Sequence, residues 1–295
     1  MNAKQEYDYI IAGMGCAGLS LAIQLKRSGI DFTKVLIIDR ELKNKNDRTW
    51  CFWTKQKSNW FDEIVSKRWN TFEFKGEHSK KIITLFPYQY MLVKGIDFYN
   101  YCLNELKSDH RFELKVEEIS SMETNNSNAL LKSNNNVYTA KYIFNSAIRT
   151  HFVKDGHVNY VQHFKGLVIE TENEAFNEEC PVFMDFSVNQ KNDCRFVYII
   201  PFSKTTALVE YTGFSEKICT DEEYDFELEN YISNTLHIKQ CTILETEKGV
   251  IPMAESEFIN PFGNRVINMG TAGGYSKPSS GYTFYFIQKI SVNTR

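Results

Sequence analysis

The spacing of apolar residues changes character twice along this chain, and each change marks a different kind of element. Tyr7 to Ala12 is a short, nearly continuous apolar run ending at Gly13, which predicts a buried parallel strand. From Cys16 to Ser28, apolar positions 17, 21 and 25 recur at a spacing of four and Gly29 follows, which predicts an amphipathic helix with a glycine stop. Lys34 to Asp39 is a second buried run, so the first forty residues read as a right-handed βαβ unit. Further on, the period shortens to two. Arg111 to Thr124 and Ala129 to Tyr142 predict strands on either side of a polar tract, Ser133 to Asn136 predicts a hairpin turn, and Tyr142 to Ala147 predicts a strand returning to the parallel sheet. Asp97 to Leu106 predicts a helix. Gly166–Glu170, Val182–Val188, Arg195–Pro201 and Ala207–Thr212 predict an antiparallel sheet. An acidic helix over Asp221 to Leu236, a strand over Val266 to Met269 and a final helical start complete the order.

Composition narrows the class. Of 295 residues, 42% are hydrophobic and 24% charged, which supports a sizeable core and excludes collagen-like and wholly disordered chains. The net charge of −3 offers no global field for nucleic acid, which is excluded as a partner. Seven cysteines include no Cys-x-x-Cys pair, and six histidines include no pair four apart on a helix, so neither a disulfide framework nor a metal site is expected. A polar N-terminus without a signal peptide, and no apolar run near the ~18 residues of a spanning helix, predict a cytoplasmic protein whose membrane contact is peripheral.

The chemistry begins at Gly13-Met14-Gly15-Cys16-Ala17-Gly18, between the first strand and the first helix. Gly13 permits the tight turn, Gly15 lets the backbone approach a pyrophosphate, and Gly18 lets helix pack on strand. The helix N-terminus, from Cys16 and Ala17 onward, then offers free N–H groups to phosphate. Asp39, with Arg40 beside it, ends the second strand at the distance where an acid accepts from ribose hydroxyls. FAD and NAD both suit this element. A second glycine turn after the late strand, with Gly270, Thr271, Gly273, Pro278 and Gly281, favours FAD, because glutathione-reductase-like flavoproteins use such a turn at the same cofactor. The expected fold is therefore α/β: a glutathione-reductase-like FAD-binding Rossmann domain (1–60, 96–160 and 262–295) with an inserted antiparallel-sheet substrate domain (61–95 and 161–261).

Several phrases in order resemble the flavoprotein lycopene cyclases of carotenoid biosynthesis, the bacterial β-cyclase type. They are Arg48-Thr-Trp-Cys-Phe-Trp53, Met184-Asp-Phe186 ahead of Tyr198-Ile-Ile-Pro201, Leu208-Val-Glu-Tyr-Thr212, Gly249-Val-Ile-Pro-Met253, and the stretch from Gly270 to Gly281. The resemblance implies reduced FAD with NAD(P)H as electron source. It implies a long-chain carotenoid substrate, and isomerisation of the ψ-ends of lycopene to β-ionone rings without net redox change. It also implies a C-terminal region shorter than that of its relatives.

Protonating an alkene requires a neutral, dry acid. By this resemblance Glu210 is the candidate general acid, and the apolar run before it suits a carboxyl held protonated by desolvation. Asp185 is a candidate proton acceptor or a structural acid; Arg48 either pairs with a phosphate or the flavin's anionic edge or is a solvated arginine. Lys55, Lys57, Lys67 and Arg68 interleave with Trp53, Trp60, Phe61 and Trp69, which reads either as a membrane-surface patch or as a buried aromatic cluster. Alternative readings are another FAD-dependent oxidoreductase, of the aromatic hydroxylase or isoprenoid reductase type, or an inactive, truncated flavin-binding remnant.

Overall fold

The computed structural model describes residues 5–55, 59–147, 160–253, 260–277 and 279–293. In chain order the elements are β1 (Gln5–Ala12), α1 (Cys16–Arg27), β2 (Val35–Asp39), β3 (Thr49–Thr54), β4 (Val65–Trp69), β5 (Thr71–Gly76), β6 (Ser79–Thr84), β7 (Gln89–Lys94), α2 (Gly95–Lys107), β8 (Phe112–Val116) and β9 (Ile119–Thr124). They continue with β10 (Ala129–Ser133), β11 (Val137–Asn145), β12 (Val161–Glu170), β13 (Val182–Asp185), β14 (Cys194–Pro201), β15 (Thr206–Ser215), α3 (Asp221–Asn230), β16 (Thr242–Pro252), β17 (Val266–Asn268) and α4 (Phe284–Asn293).

The chain divides into two units, Met1–Lys45 with Ile96–Asp155 and Glu255–Arg295, and Asn46–Gly95 with Gly156–Ala254. The first unit is built on the parallel strands β8-β2-β1-β11, with β17 parallel to the C-terminal end of β11 and the hairpin β9-β10 on its N-terminal end. Ile10, Ile11, Val35, Leu36, Ile37 and Ile38 are fully buried, as a sheet covered on both faces demands. α1 carries ten buried residues and ends on Ser28 in extended geometry, so the expected glycine stop is not used. α4 lies on α1, where Gln288 donates to Ser20 at 2.8 Å.

In the second unit, the sheet order β16-β12-β15-β14-β13-β5-β6 is antiparallel except for β13 beside β5. One face carries Val197, Val209, Tyr211 and their neighbours and is covered by α3 and the turn after it, through Tyr224, Leu228 and Tyr231. The alternate positions, Gly166, Leu208, Glu210 and Tyr198, share the other face. A small sheet, β3-β7-β4, completes this unit. The pairing of Thr49–Thr54 with Gln89–Lys94 is what draws residues 46–60 into this unit rather than into the cofactor unit expected from sequence. Short strands joined over such a distance leave little local trace.

Where it can be described, the tryptophan-rich stretch packs as an aromatic cluster in which Trp69 is buried and Trp50, Trp53 and Trp60 are half-buried, which favours the cluster reading over the surface patch. Trp69 and Phe61 are each only 2% exposed. The Trp69 indole donates to the Glu178 carbonyl at 2.7 Å, and Trp53 meets Phe72, Tyr90 and Phe183 ring to ring. Lys57 lies outside the described residues.

Candidate active site

In the first unit, the glycine turn is held by three close approaches. Gly13 has φ of +110°, a left-handed conformation that a side chain strains. A Cβ on Gly18 would stand 2.0 Å from the Gly13 carbonyl oxygen, so this contact between helix and turn exists only for glycine. Asp39 Oδ2 accepts the Met14 N–H at 2.6 Å, tying the end of β2 to the turn. The second glycine turn, Gly270–Gly273, follows β17, and a Cβ on Gly270 would meet Ala17 Cβ at 2.8 Å. Two glycine turns thus meet at the N-terminus of α1, whose first N–H groups have no acidic side chain before them. Burial pushes the Cys16 thiol up, so it is a packing group there and no nucleophile. Arg40 is exposed, Gly281 is buried with φ of +71°, and Pro278 lies outside the described residues.

In the second unit, Glu210 on β15 and Glu247 on β16 stand either side of β12, both in register with Gly166. They are 9% and 7% exposed. A Cβ at 166 would come within 3.2 Å of Glu247 Cγ and 3.3 Å of Glu210 Cβ, so the missing side chain is what lets two carboxyls meet across a strand. The two carboxyls lie close enough to share a hydrogen bond. Thr49 Oγ1 donates to Glu247 Oε2 at 2.8 Å, and Thr212 Oγ1 donates to Glu210 Oε1 at 3.2 Å.

These contacts decide where the proton sits. Burial pushes Glu210 well above the ordinary carboxylate range, and the Glu247 charge and hydrogen bond push it further. Burial also raises Glu247, which stays above the ordinary range although hydrogen bonds from Glu210 and Thr49 and the Arg48 charge offset part of the rise. Of the two, Glu210 is the more strongly raised. Arg48 donates to the Asp47 and Lys248 carbonyls, and its charge acts on both acids.

Aromatic side chains share the Glu210 face of the sheet. Tyr198 is in register with Glu210 and meets Phe183 and Phe196 edge-on at 5.7 and 5.1 Å. Phe186 and Phe214 flank Phe196. From β3, the face of Thr49, Cys51 and Trp53 presents first a donor to Glu247, then a buried thiol, then the indole against Phe183. An acid held neutral and walled by hydrocarbon can protonate a weak base such as an alkene.

Asp185 is not part of this group. It is in register with Val197, on the face covered by α3. Tyr231 OH donates to it at 2.6 Å and the Ser187 N–H at 2.9 Å, and Lys75 Nζ is 3.7 Å away. Burial raises its carboxyl, but the Ser187 and Tyr231 hydrogen bonds and the Lys75 charge outweigh that and hold it below the ordinary range. It is a structural anion, and the strand alternation that turns Glu210 one way turns Asp185 the other.

The acid that sequence reading missed is Glu247. Its strand opens with the exposed run Thr242–Thr246, which gives no sign of a buried carboxyl. The available signal was a pair of glycines inside strand patterns, Gly166 and Gly249, since an interior glycine marks a close approach.

The family described as lycopene cyclase protein matches residues 8–292. The lycopene beta-cyclase of Pantoea ananas is 23% identical over 289 residues, covering 95% of this chain and 72% of that protein. A chloroplastic neoxanthin synthase of Solanum tuberosum is 24% identical over 302 residues, covering 95% of this chain and 58% of that one. Among solved structures, a geranylgeranyl bacteriochlorophyll reductase-like protein from Thermoplasma acidophilum superposes with a TM-score of 0.75 at 13% identity, covering 99% of this chain and 77% of that one. The flavin-dependent brominase Bmp2 gives 0.67 at 16% identity, covering 98% and 78%. The fold is thus the FAD-binding Rossmann type with a β-rich second unit. With nearly its whole length matched, the chain belongs to the lycopene cyclase protein family.

Proposed function

We propose that this protein is an acid-catalysed carotenoid cyclase that closes the ψ-ends of lycopene-type polyenes into ionone-type rings. The observation that carries the reading is Glu210, buried against a second carboxyl and pushed well above the ordinary carboxylate range by desolvation, on a face lined by aromatic rings. The acid O–H bond breaks as a C–H bond forms at the terminal alkene, and the alkene next along the chain closes the ring onto the resulting cation. A ring proton then returns to the carboxyl pair, so no electrons are gained or lost overall. Aromatic faces exclude water and add cation–π attraction to the positive centre.

The two glycine turns fit FAD, because the backbone at Gly13–Gly18 and Gly270–Gly273 is bare of side chains where a pyrophosphate would approach α1. Gly13, Gly15, Gly18, Asp39 and Gly270 are the residues that would hold it. When bound, reduced FAD supplies an electron-rich ring system that stabilises nearby positive charge, with NAD(P)H as the source of its electrons. A hydrocarbon substrate resides in lipid, and the reading includes peripheral contact with a membrane surface; no helix among the described residues is long and apolar enough to cross one.

The test is expression in a lycopene-accumulating host with pigment analysis, wild type beside Glu210→Gln. Cyclised product is expected from the wild type, with a loss of about 10²–10⁴-fold in the variant, as for removal of a general acid. Equal product from both retires Glu210 as the acid.

A further inference from the structure

The reading above gives Glu247 no task of its own in setting the acid, yet it is as buried as Glu210 and lies directly against it. A second carboxyl at such a place is costly unless it does something, because a buried charge loses its hydration. We infer that Glu247 is a positioning residue: its ionised carboxylate, fixed by Thr49 Oγ1 and facing Glu210 across Gly166, accepts the Glu210 O–H and so keeps the transferable proton on Glu210.

Three features of the geometry support this. First, Glu247 and Glu210 are brought together by register and not by a flexible loop, since Gly166 pairs with both. Second, the two acids differ in their other contacts. Thr49 gives Glu247 a hydroxyl donor at 2.8 Å, whereas the Thr212 donor to Glu210 is longer, at 3.2 Å. The member with the closer donor carries the charge and the other keeps the proton. Third, the remaining groups that face the pair within this unit do not reverse that asymmetry. Arg48 acts on both acids, the half-buried Cys51 thiol is held uncharged, and Tyr198 lies in register with Glu210; the exposed Glu245 raises Glu247 and works against its ionisation, but its effect is smaller than the Thr49 hydrogen bond and the Arg48 charge. Lys165 and Lys248 belong to the opposite face, where they pair with Asp225 and Asp221 of α3.

The pair begins a turnover with one proton and ends it with one. Donation to the alkene leaves two carboxylates, and that excess negative charge is offset by the carbocation formed beside them. Return of a ring proton restores the starting state, so no external acid or base is consumed.

The inference rests on Glu210 as the acid, and its test separates the two. Infrared spectra of the purified protein titrated with pH read the carbonyl band of a protonated carboxylic acid without any turnover. The wild type is expected to hold one such band through neutral pH, and Glu210→Gln to lose it. In Glu247→Gln the band is expected to titrate away about one pH unit or more lower, because the neighbouring anion that raised it is gone. Glu247→Asp, which keeps the anion, is expected to retain the high titration. The alkaline limb of cyclisation in membranes charged with lycopene should move with the band. A Glu247→Gln variant that loses activity equally at every pH, with the Glu210 band unmoved, overturns the positioning role. Failure of the pigment test with the band behaving as stated would instead strike the cyclase reading and leave the coupling of the two carboxyls standing.

Discussion

Asp185 and Glu210 sit in one sheet, two strands apart, and are both buried, yet the structure drives them to opposite protonation states. Asp185 receives donors: the Ser187 backbone and hydroxyl, the Tyr231 phenol and the Lys75 charge. Glu210 receives one modest donor and faces another carboxyl. Burial penalises both anions and does not by itself give opposite outcomes; what occupies the hydrogen-bonding positions around each carboxyl sets the sign. The alternation of the strands separates these environments onto two faces, one a hydrophobic core under α3 and the other an aromatic wall. One sheet thereby supplies a structural anion and a reactive acid.

The largest effect that would sharpen this contrast is on stability. Asp185→Asn removes a charge that accepts from Tyr231, and about 1–3 kcal/mol of unfolding free energy is expected to go with it. The sign with pH follows from the direction of the shift. Asp185 is held below its unfolded value, so its contribution is present above the unfolded pKa and vanishes as pH falls through the folded one. The gap between wild type and variant, measured by denaturant unfolding, should therefore be widest at neutral pH and close in acid. Cyclised product per folded molecule is expected to survive. A variant that folds normally but makes none would return Asp185 to the chemistry and erase the contrast between the faces.

A smaller effect is expected at Gly166, where the acids meet. The Cβ of Gly166→Ala would press on Leu208 Cδ1 at 2.8 Å and on both glutamate stems. Overpacking of this kind costs about 1–3 kcal/mol. Replacing a glycine inside a strand returns about 0.5–1 kcal/mol, because the unfolded chain loses freedom. The obstructing atoms are side chains that can yield, so the net loss should sit near the low end, about 1 kcal/mol by chemical denaturation. The carboxyl band should respond more than stability does. With the acids pushed apart it is expected to titrate at lower pH, while the acid-side stability profile due to Asp185 is unchanged. An unmoved band would mean that the pair does not depend on the bare strand between its members.

What could be read from sequence follows the range of the interactions. The βαβ unit and its glycine turn are written within forty residues, because strand, turn and helix touch their immediate neighbours in the chain. Glu210 was legible by parity, since Leu208 and Glu210 share a face and an apolar Leu208 predicts an inward Glu210. The same parity argument needed a register to place Asp185, and pairing with Val197 could not be read locally. Glu247 was hidden for a stronger reason. Thr242 to Thr246 looks like an exposed edge, and burial at 247 arises only because β3 delivers Thr49 from almost two hundred positions away. The tryptophans mislead similarly: a run of Trp and Lys is consistent with an interface until β7 is known to pair with both β3 and β4.

The smallest expected effect is at Thr49 and separates two ways of disturbing the acid. Thr49→Val deletes the donor to Glu247 while leaving both carboxyls in place. Glu247 is ionised both before and after Glu210 releases its proton, so the lost hydrogen bond weakens the two states nearly equally. The alkaline limb of activity should therefore not move to lower pH. What changes is the distribution of the single proton: with Glu247 a stronger base, more of the pair holds it there, on the unproductive side. One hydrogen bond of about 1 kcal/mol sets the ceiling, a loss of at most roughly fivefold in the plateau rate below the alkaline limb, fading on the limb itself. Steady-state pigment formation at several pH values distinguishes this from Glu247→Gln, where the limb itself is expected to shift. A limb that moves down in Thr49→Val would mean that Thr49 acts on Glu210 directly, and the asymmetry between the two acids would then need another cause.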